Sequence, residues 1–155
     1  MRVRPVPRRF SLDTNILVYA VDRDSGLRHH EAVDLVGHAA KCDCVLTIQS
    51  LAEFFRATTR KGLLSPADAG AFVRDWLGLF DIASADDVAL VDAMEAAEEH
   101  GLSFWDAMLW AAARSARCSS ILTEDLQDGR RLGGVEFLNP FRAENRDRLS
   151  LLLGN

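Results

Sequence analysis

No run in this chain approaches the ~20 consecutive apolar residues of a membrane span, and no apolar segment follows the basic amino terminus as it would in a signal peptide. Neither export nor anchoring is expected. Cysteine is scarce: Cys42, Cys44 and Cys118 are odd in number and sit beside or inside apolar segments. A reduced, cytoplasmic chain is therefore favoured over a disulfide scaffold. The C-x-C at Cys42 and Cys44 lacks finger spacing, and His29-His30-Glu31 is followed by Asp34 where H-E-x-x-H needs histidine. Both patterns speak against zinc. Positive charge is also short outside the first dozen residues, where Arg2, Arg4, Arg8 and Arg9 stand without acids. The whole chain has a formal charge of -5, which leaves -9 for the remainder. A body of that sign repels phosphate, so any nucleic-acid partner needs local basic patches.

What remains is enough for one domain. A chain of 155 residues buries about 68–70% of its unfolded surface. Phe10 to Leu12 reads as a strand running into the turn Asp13-Thr14-Asn15, with an apolar helical turn over Ile16 to Ala20. Further helices are expected over Leu27–Ala40, Ser50–Arg60, Ser65 onward, Asp86–His100 and Ser103–Arg117. Strands are expected at Val45–Ile48, Leu79–Ile82, Ser120–Thr123 and Val135–Leu138, the last broken by Asn139-Pro140. Strands alternating with helices predict an α/β fold with a parallel sheet. Val88, Val91, Met94 and Ala97 mark an apolar stripe on one helix, and Ala69, Phe72, Val73, Trp76 and Leu77 a core face on another. Trp76, Trp105 and Trp110 read as core.

Four acids carry the chemistry: Asp13, Glu53, Asp106 and Asp125, in SLDTN, SLAEFF, SFWDA and LTEDLQDG. Each stands where an apolar segment meets a turn or opens a helix, positions that face the ligand crevice of an open α/β sheet. Taken singly, they have ordinary explanations. Ser50-x-x-Glu53 and Ser103-x-x-Asp106 match the capping box, and Asp13 and Asp125 suit polar turns. Taken together, they are four carboxylates among apolar neighbours, each costly to bury without a partner. Acids brought together repel unless a cation neutralises them, and oxygen-only ligands select Mg²⁺ or Mn²⁺. Arg56, Arg60 and Lys61 follow Glu53 at helical spacing and are the candidates for phosphate contact.

In their order and separation, FSLDTNILVYA, IQSLAEFFRAT, LSFWDAMLWAAA and ILTEDLQDG resemble PIN-domain proteins, most closely VapC-type ribonuclease toxins of type II toxin–antitoxin pairs. The likeness runs from about Phe10 to Phe141. It implies a three-layer α/β/α domain with a central parallel sheet over residues 10–141; outside the likeness, residues 1–9 read as a basic flexible leader that exceeds the family's usual few residues, and 142–155 as a tail that could be helical. It also implies that Asp13, Glu53, Asp106 and Asp125 form the acidic site, with Asn15 and Thr123 in support and Asp128 as an outlying acid. Glu124 competes with Asp125 for the same role. The implied partners are RNA, a VapB-like antitoxin and a second copy in a homodimer.

The expected activity is endoribonucleolytic cleavage by a metal-activated water, with Asp13 and Asp106 as direct ligands of one or two Mg²⁺ or Mn²⁺ ions. Two other readings compete with it. A haloacid-dehalogenase-like phosphatase or phosphotransfer domain also begins with a strand and an aspartate, but it asks for a second acid where this chain has Asn15. A non-enzymatic partner-binding domain would use the acids only as helix caps.

Overall fold

The computed structural model describes residues 8–154, so Arg2 and Arg4 of the expected leader lie outside the described residues. The chain alternates as expected. Strand β1 (Phe10–Leu12) leads to helices α1 (Thr14–Tyr19) and α2 (Leu27–Ala39), and β2 (Cys44–Thr47) leads to α3 (Ile48–Arg60) and α4 (Pro66–Leu79). Next come β3 (Asp81–Ala83), α5 (Asp87–His100), α6 (Phe104–Ser115) and β4 (Ser120–Leu122). A short β5 (Arg131–Leu132), β6 (Val135–Leu138) and α7 (Arg146–Leu153) complete the order. The six strands lie in the order β3-β2-β1-β4-β6-β5, all parallel except β5, which runs antiparallel to β6.

Period-two alternation sorts the strand residues into two cores. Phe10, Leu12, Cys44, Leu46, Leu122 and Leu138 pack with α1 to α4 and are joined by Leu149, Leu152 and Leu153 of α7. Val45, Ile121, Val135 and Phe137 face the other way, onto α5 and α6. Continuous burial of these strands follows from helices on both faces of a parallel sheet, giving three layers, α/β/α. The second layer is built on small side chains. Ala89, Ala93 and Ala96 of α5 meet Ala107, Ala111 and Ala113 of α6, so two helices fit close against the sheet.

Several expectations shift. On α5 the alanines face the core, whereas Val88, Val91 and Met94 of the anticipated stripe are exposed. On α4, Ala69 and Trp76 are buried but Phe72 and Leu77 are not. Trp105 stands in solvent, unlike Trp76 and Trp110. Strand β3 starts at Asp81 because α4 continues through Leu79. Helix α3 begins two residues early: Thr47 is its N-cap, accepting from the Ser50 amide at 3.0 Å. Ser50 is therefore a buried first-turn residue, and Glu53 lies beyond capping reach.

The amino edge of the sheet is gathered by Arg9. Its guanidinium donates to Asp43 at 3.0 Å, to Asp81 at 2.9 Å and to the Ala116 carbonyl at 3.0 Å. It thereby ties the starts of β2 and β3 to the end of α6. Beyond the sheet, the described part of the expected tail holds a tight turn at Ala143–Asn145 and then α7. Arg148 of α7 and Arg131 of β5 both pair with buried Glu136 on β6. Because the carboxylate partners of Arg9 are well exposed, each link is worth little, but the guanidinium makes three at once. Arg9→Ala should lower unfolding free energy by about 1–2 kcal/mol. Urea denaturation measures this, and an unchanged midpoint would remove Arg9 from the account.

Candidate active site at the carboxyl edge of the sheet

Strand order places the site. The chain steps outward from β1 to β2 to β3, then returns across the sheet to lay β4 on the other side of β1. The two connections part above β1 and β4, and that switch point is where open α/β sheets bind ligands. Asp13 follows β1 directly, and Thr123 and Asp125 follow β4. Helix α3 leaves the same edge from β2, carrying Glu53 in its second turn, and the first turn of α6 brings Asp106.

Asp13 is the N-cap of α1. Its Oδ1 accepts from the Thr14 amide at 2.7 Å and its Oδ2 from the Thr123 hydroxyl at 2.8 Å. The same Thr123 oxygen accepts from the Asp125 amide at 3.2 Å, so one hydroxyl fixes the turn after β4 and the acid after β1. Only 8% of Asp13 is exposed. Burial raises its pKa to about 6; the Thr123 and Thr14 hydrogen bonds oppose the rise, and the charges of Asp125 and Asp106 add to it.

Two of the other acids are held by neutral donors. Glu53 accepts from the Thr14 hydroxyl at 2.8 Å and from Gln49 at 2.9 Å. Asp125 accepts from Asn15, and its pKa is raised by burial first, then by Glu124 and Asp106, against the Asn15 bond. Ser103 caps α6 by accepting from the Asp106 amide at 3.2 Å. No side-chain bond to the Asp106 carboxylate accompanies it among the described residues, so the capping box is half made. Nor does Asp13, Glu53, Asp106 or Asp125 form an ion pair among the described residues.

The expected gathering of the four acids around a cation is corrected by these bonds. Among the described residues no three acids, histidines or cysteines stand close enough to hold a metal ion. Glu53 is drawn to Thr14 and Gln49, and Asp125 to Asn15, so the carboxylates border the crevice without converging. The donor set nevertheless fits a hard cation: all oxygen, anionic, partly desolvated and uncompensated.

Glu124 and Asp125 point to different partners. Glu124 accepts from the Tyr19 hydroxyl and pairs with Arg28 at 3.3 Å, while the Arg28 guanidinium lies 4.3 Å over the Phe141 ring. The bond to Glu124, then burial, pushes the Tyr19 pKa up to about 12. Asp128 is apart from the cluster. It accepts from the Asn139 amide at 2.8 Å and from Asn145 at 2.9 Å, with Arg142 3.7 Å away. Burial would raise its pKa, but these bonds and the nearby arginines outweigh it, and the value is lowered. Exposed Arg56, Arg60 and Lys61 line a groove along α3 together with Glu53 and Ala57.

Sequence reasoning passed over Thr14, Gln49, Tyr19 and Arg28. Gln49 and Glu53 stand four apart, a spacing that places side chains on one helix face. Nothing local announces Tyr19 or Arg28, whose roles depend on the return of β4 beside β1.

The PIN-domain profile matches residues 11–131. Among solved structures, Mycobacterium tuberculosis VapC20, a sarcin–ricin loop cleaving toxin, has a TM-score of 0.62 at 19% identity, covering 75% of this chain and 91% of that one. A toxin–antitoxin complex from Klebsiella pneumoniae has a TM-score of 0.61 at 22% identity, covering 84% and 97%. VapBC2 of Rickettsia felis, bound to a DNA fragment from its promoter, has a TM-score of 0.61 at 15% identity, covering 83% and 96%. At such identities the likeness is one of fold. No curated protein matches this chain. The profile spans both strands of the switch point and all four acids around it, and the chain belongs to the PIN-domain family.

Proposed function

We propose that this protein is a Mg²⁺- or Mn²⁺-dependent endoribonuclease and the toxin of a toxin–antitoxin pair. The observation that carries the reading is the buried Asp13 carboxylate, without a cationic partner among the described residues, its pKa raised first by burial and further by Asp125 and Asp106. Such a group calls for a cation. Asp13 and Asp106 would hold it directly, while Glu53 and Asp125 complete the acidic border. A divalent cation there would lower the pKa of water and shield phosphate oxygens. Thr123 and Asn15 orient Asp13 and Asp125, and Arg56, Arg60 and Lys61 offer the positive charge that a phosphate backbone needs beside an acidic site.

Solved toxin–antitoxin complexes of this fold support an antitoxin partner; the reading adds that a VapB-like antitoxin lays a basic residue in the acidic pocket and that a homodimer places two pockets along one RNA. The haloacid-dehalogenase-like alternative loses ground with the PIN assignment and with Asn15, whose amide is engaged by Asp125. Capping alone does not explain Glu53, because Thr47 caps its helix.

Asp13→Asn should abolish RNA cleavage with the fold retained, read by cleavage assay and circular dichroism; full Mg²⁺-dependent activity in the variant would sink the assignment. Thr123→Val should weaken metal affinity or activity about 10- to 100-fold, measured by Mn²⁺ titration and initial rates. Mn²⁺ should raise the wild-type melting temperature but not that of Asp106→Asn. The pH dependence has a definite sign. Because the Asp13 pKa is raised from 3.8 to about 6 in the fold, its ionisation costs the metal-free protein roughly 3 kcal/mol above pH ~6, and nothing below pH ~4. Without metal, Asp13→Asn should therefore be more stable than wild type near neutral pH, with the advantage fading as pH falls. An advantage independent of pH would contradict this origin.

A further inference from the structure

Trp105 breaks the pattern of the three tryptophans. Trp76 and Trp110 are 6% and 4% exposed, whereas Trp105 is 61% exposed with Phe104 beside it at 41%. The two rings stand edge to face with centroids 5.0 Å apart. They open α6 immediately before Asp106, in a turn fixed by the Ser103 cap. The backbone there is also tied across the crevice. Gln49 donates to the Trp105 carbonyl at 3.0 Å and to Glu53 at 2.9 Å, so one amide sets the separation between the aromatic turn and the acid on α3. From Glu53 the groove continues past Arg56 and Arg60 to Lys61.

We propose that Trp105, supported by Phe104, is a stacking platform that holds one unpaired base of an RNA strand whose backbone crosses the acidic site and follows the basic groove of α3. The inference rests on the ribonuclease reading and deepens it to the side chain that would grip the strand. A duplex keeps its bases stacked on one another, whereas a loop offers a free face to an aromatic ring. Charge argues for RNA over an apolar protein segment. An exposed indole at one end of the acidic crevice, with Arg56, Arg60 and Lys61 along the α3 groove that leads away from Glu53, matches a ligand that is anionic along its backbone and aromatic along its bases. A stacked base holds the strand by its face, so the platform selects unpaired structure and not base identity.

The test uses the full chain carrying Asp13→Asn, so that RNA is bound and not consumed, with a short mixed-sequence single-stranded RNA as probe. Because the other two tryptophans are buried, RNA should quench emission that Trp105→Phe removes. Trp105→Ala should weaken binding roughly 5- to 150-fold, and Trp105→Tyr should restore most of it. Scanning the RNA with abasic nucleotides gives the decisive readout. One position should weaken binding to the parent but have no further effect on Trp105→Ala, a coupling that general destabilisation would not produce. Equal affinity of Trp105→Ala and parent, or no position-specific coupling, overturns the platform. Trp105 emission that shifts with protein concentration in the absence of RNA also overturns it, and assigns the ring to contact with a second copy. Failure of the underlying function is distinguishable: if the chain with Asp13 intact neither binds nor cleaves RNA with Mg²⁺ or Mn²⁺, both ideas fall. Asp13-dependent cleavage unchanged in Trp105→Ala removes the platform alone.

Discussion

The site is organised around a carboxylate buried without a cation beside it among the described residues. Asp13 caps α1, accepts from Thr123 on the neighbouring strand, and stands where β1 and β4 send their connections apart. The bond between Thr123 and Asp13 is the seam: it joins the two strand ends that create the crevice, and it fixes the acid that gives the crevice its charge. The same hydroxyl accepts from the Asp125 amide, so the second acid is placed through the first. Neutral donors orient these charges without cancelling them. That distinction matters, since an arginine in their place would satisfy the carboxylates and leave no field for a cation.

The two ends of the sheet are built from opposite principles. At the amino edge Arg9 matches positive charge to Asp43 and Asp81. At the carboxyl edge Asp13, Glu53, Asp106 and Asp125 border one crevice without ion pairs among the described residues, and hydroxyl and amide groups hold the first, second and last of them. Parallel strands make this separation possible because every strand beginning falls at one end and every strand ending at the other. The haloacid-dehalogenase comparison fails at the same edge. Asn15, the position that would need to be acidic, serves as a donor to Asp125.

Legibility in the sequence followed how local each signal was. The strand into Asp-Thr-Asn, the Ser103 cap and the turn after β4 each depend on a few adjacent residues, and the structure places them at one edge. Helix α3 was harder because Val45, Leu46, Thr47 and Ile48 form one apolar run; whether Thr47 ends a strand or caps a helix depends on the packing behind it. On α5, size misled. Valine and methionine outrank alanine in hydrophobicity, but the close approach of α6 admits only the alanines. Strand β5 is two residues long and carries arginine, so nothing in its composition announces it. The links among Tyr19, Arg28, Glu124 and Phe141 join distant segments and become visible only once the sheet is assembled.

The alanine face of α5 has a consequence for the protein as a solute. Ala89, Ala93 and Ala96 satisfy the core, leaving the outward positions free of packing demands. Val88, Val91 and Met94 nevertheless stand there, 52–63% exposed. Asp87, Asp92, Glu95 and Glu98 are interspersed along the same helix. Apolar surface in water favours self-association, while acids of one sign on both approaching molecules oppose it. The opposition is electrostatic and shortens with the Debye length, from about 30 Å at 0.01 M salt to about 8 Å at physiological strength. On these grounds added salt favours contact between α5 faces and dilute buffer opposes it.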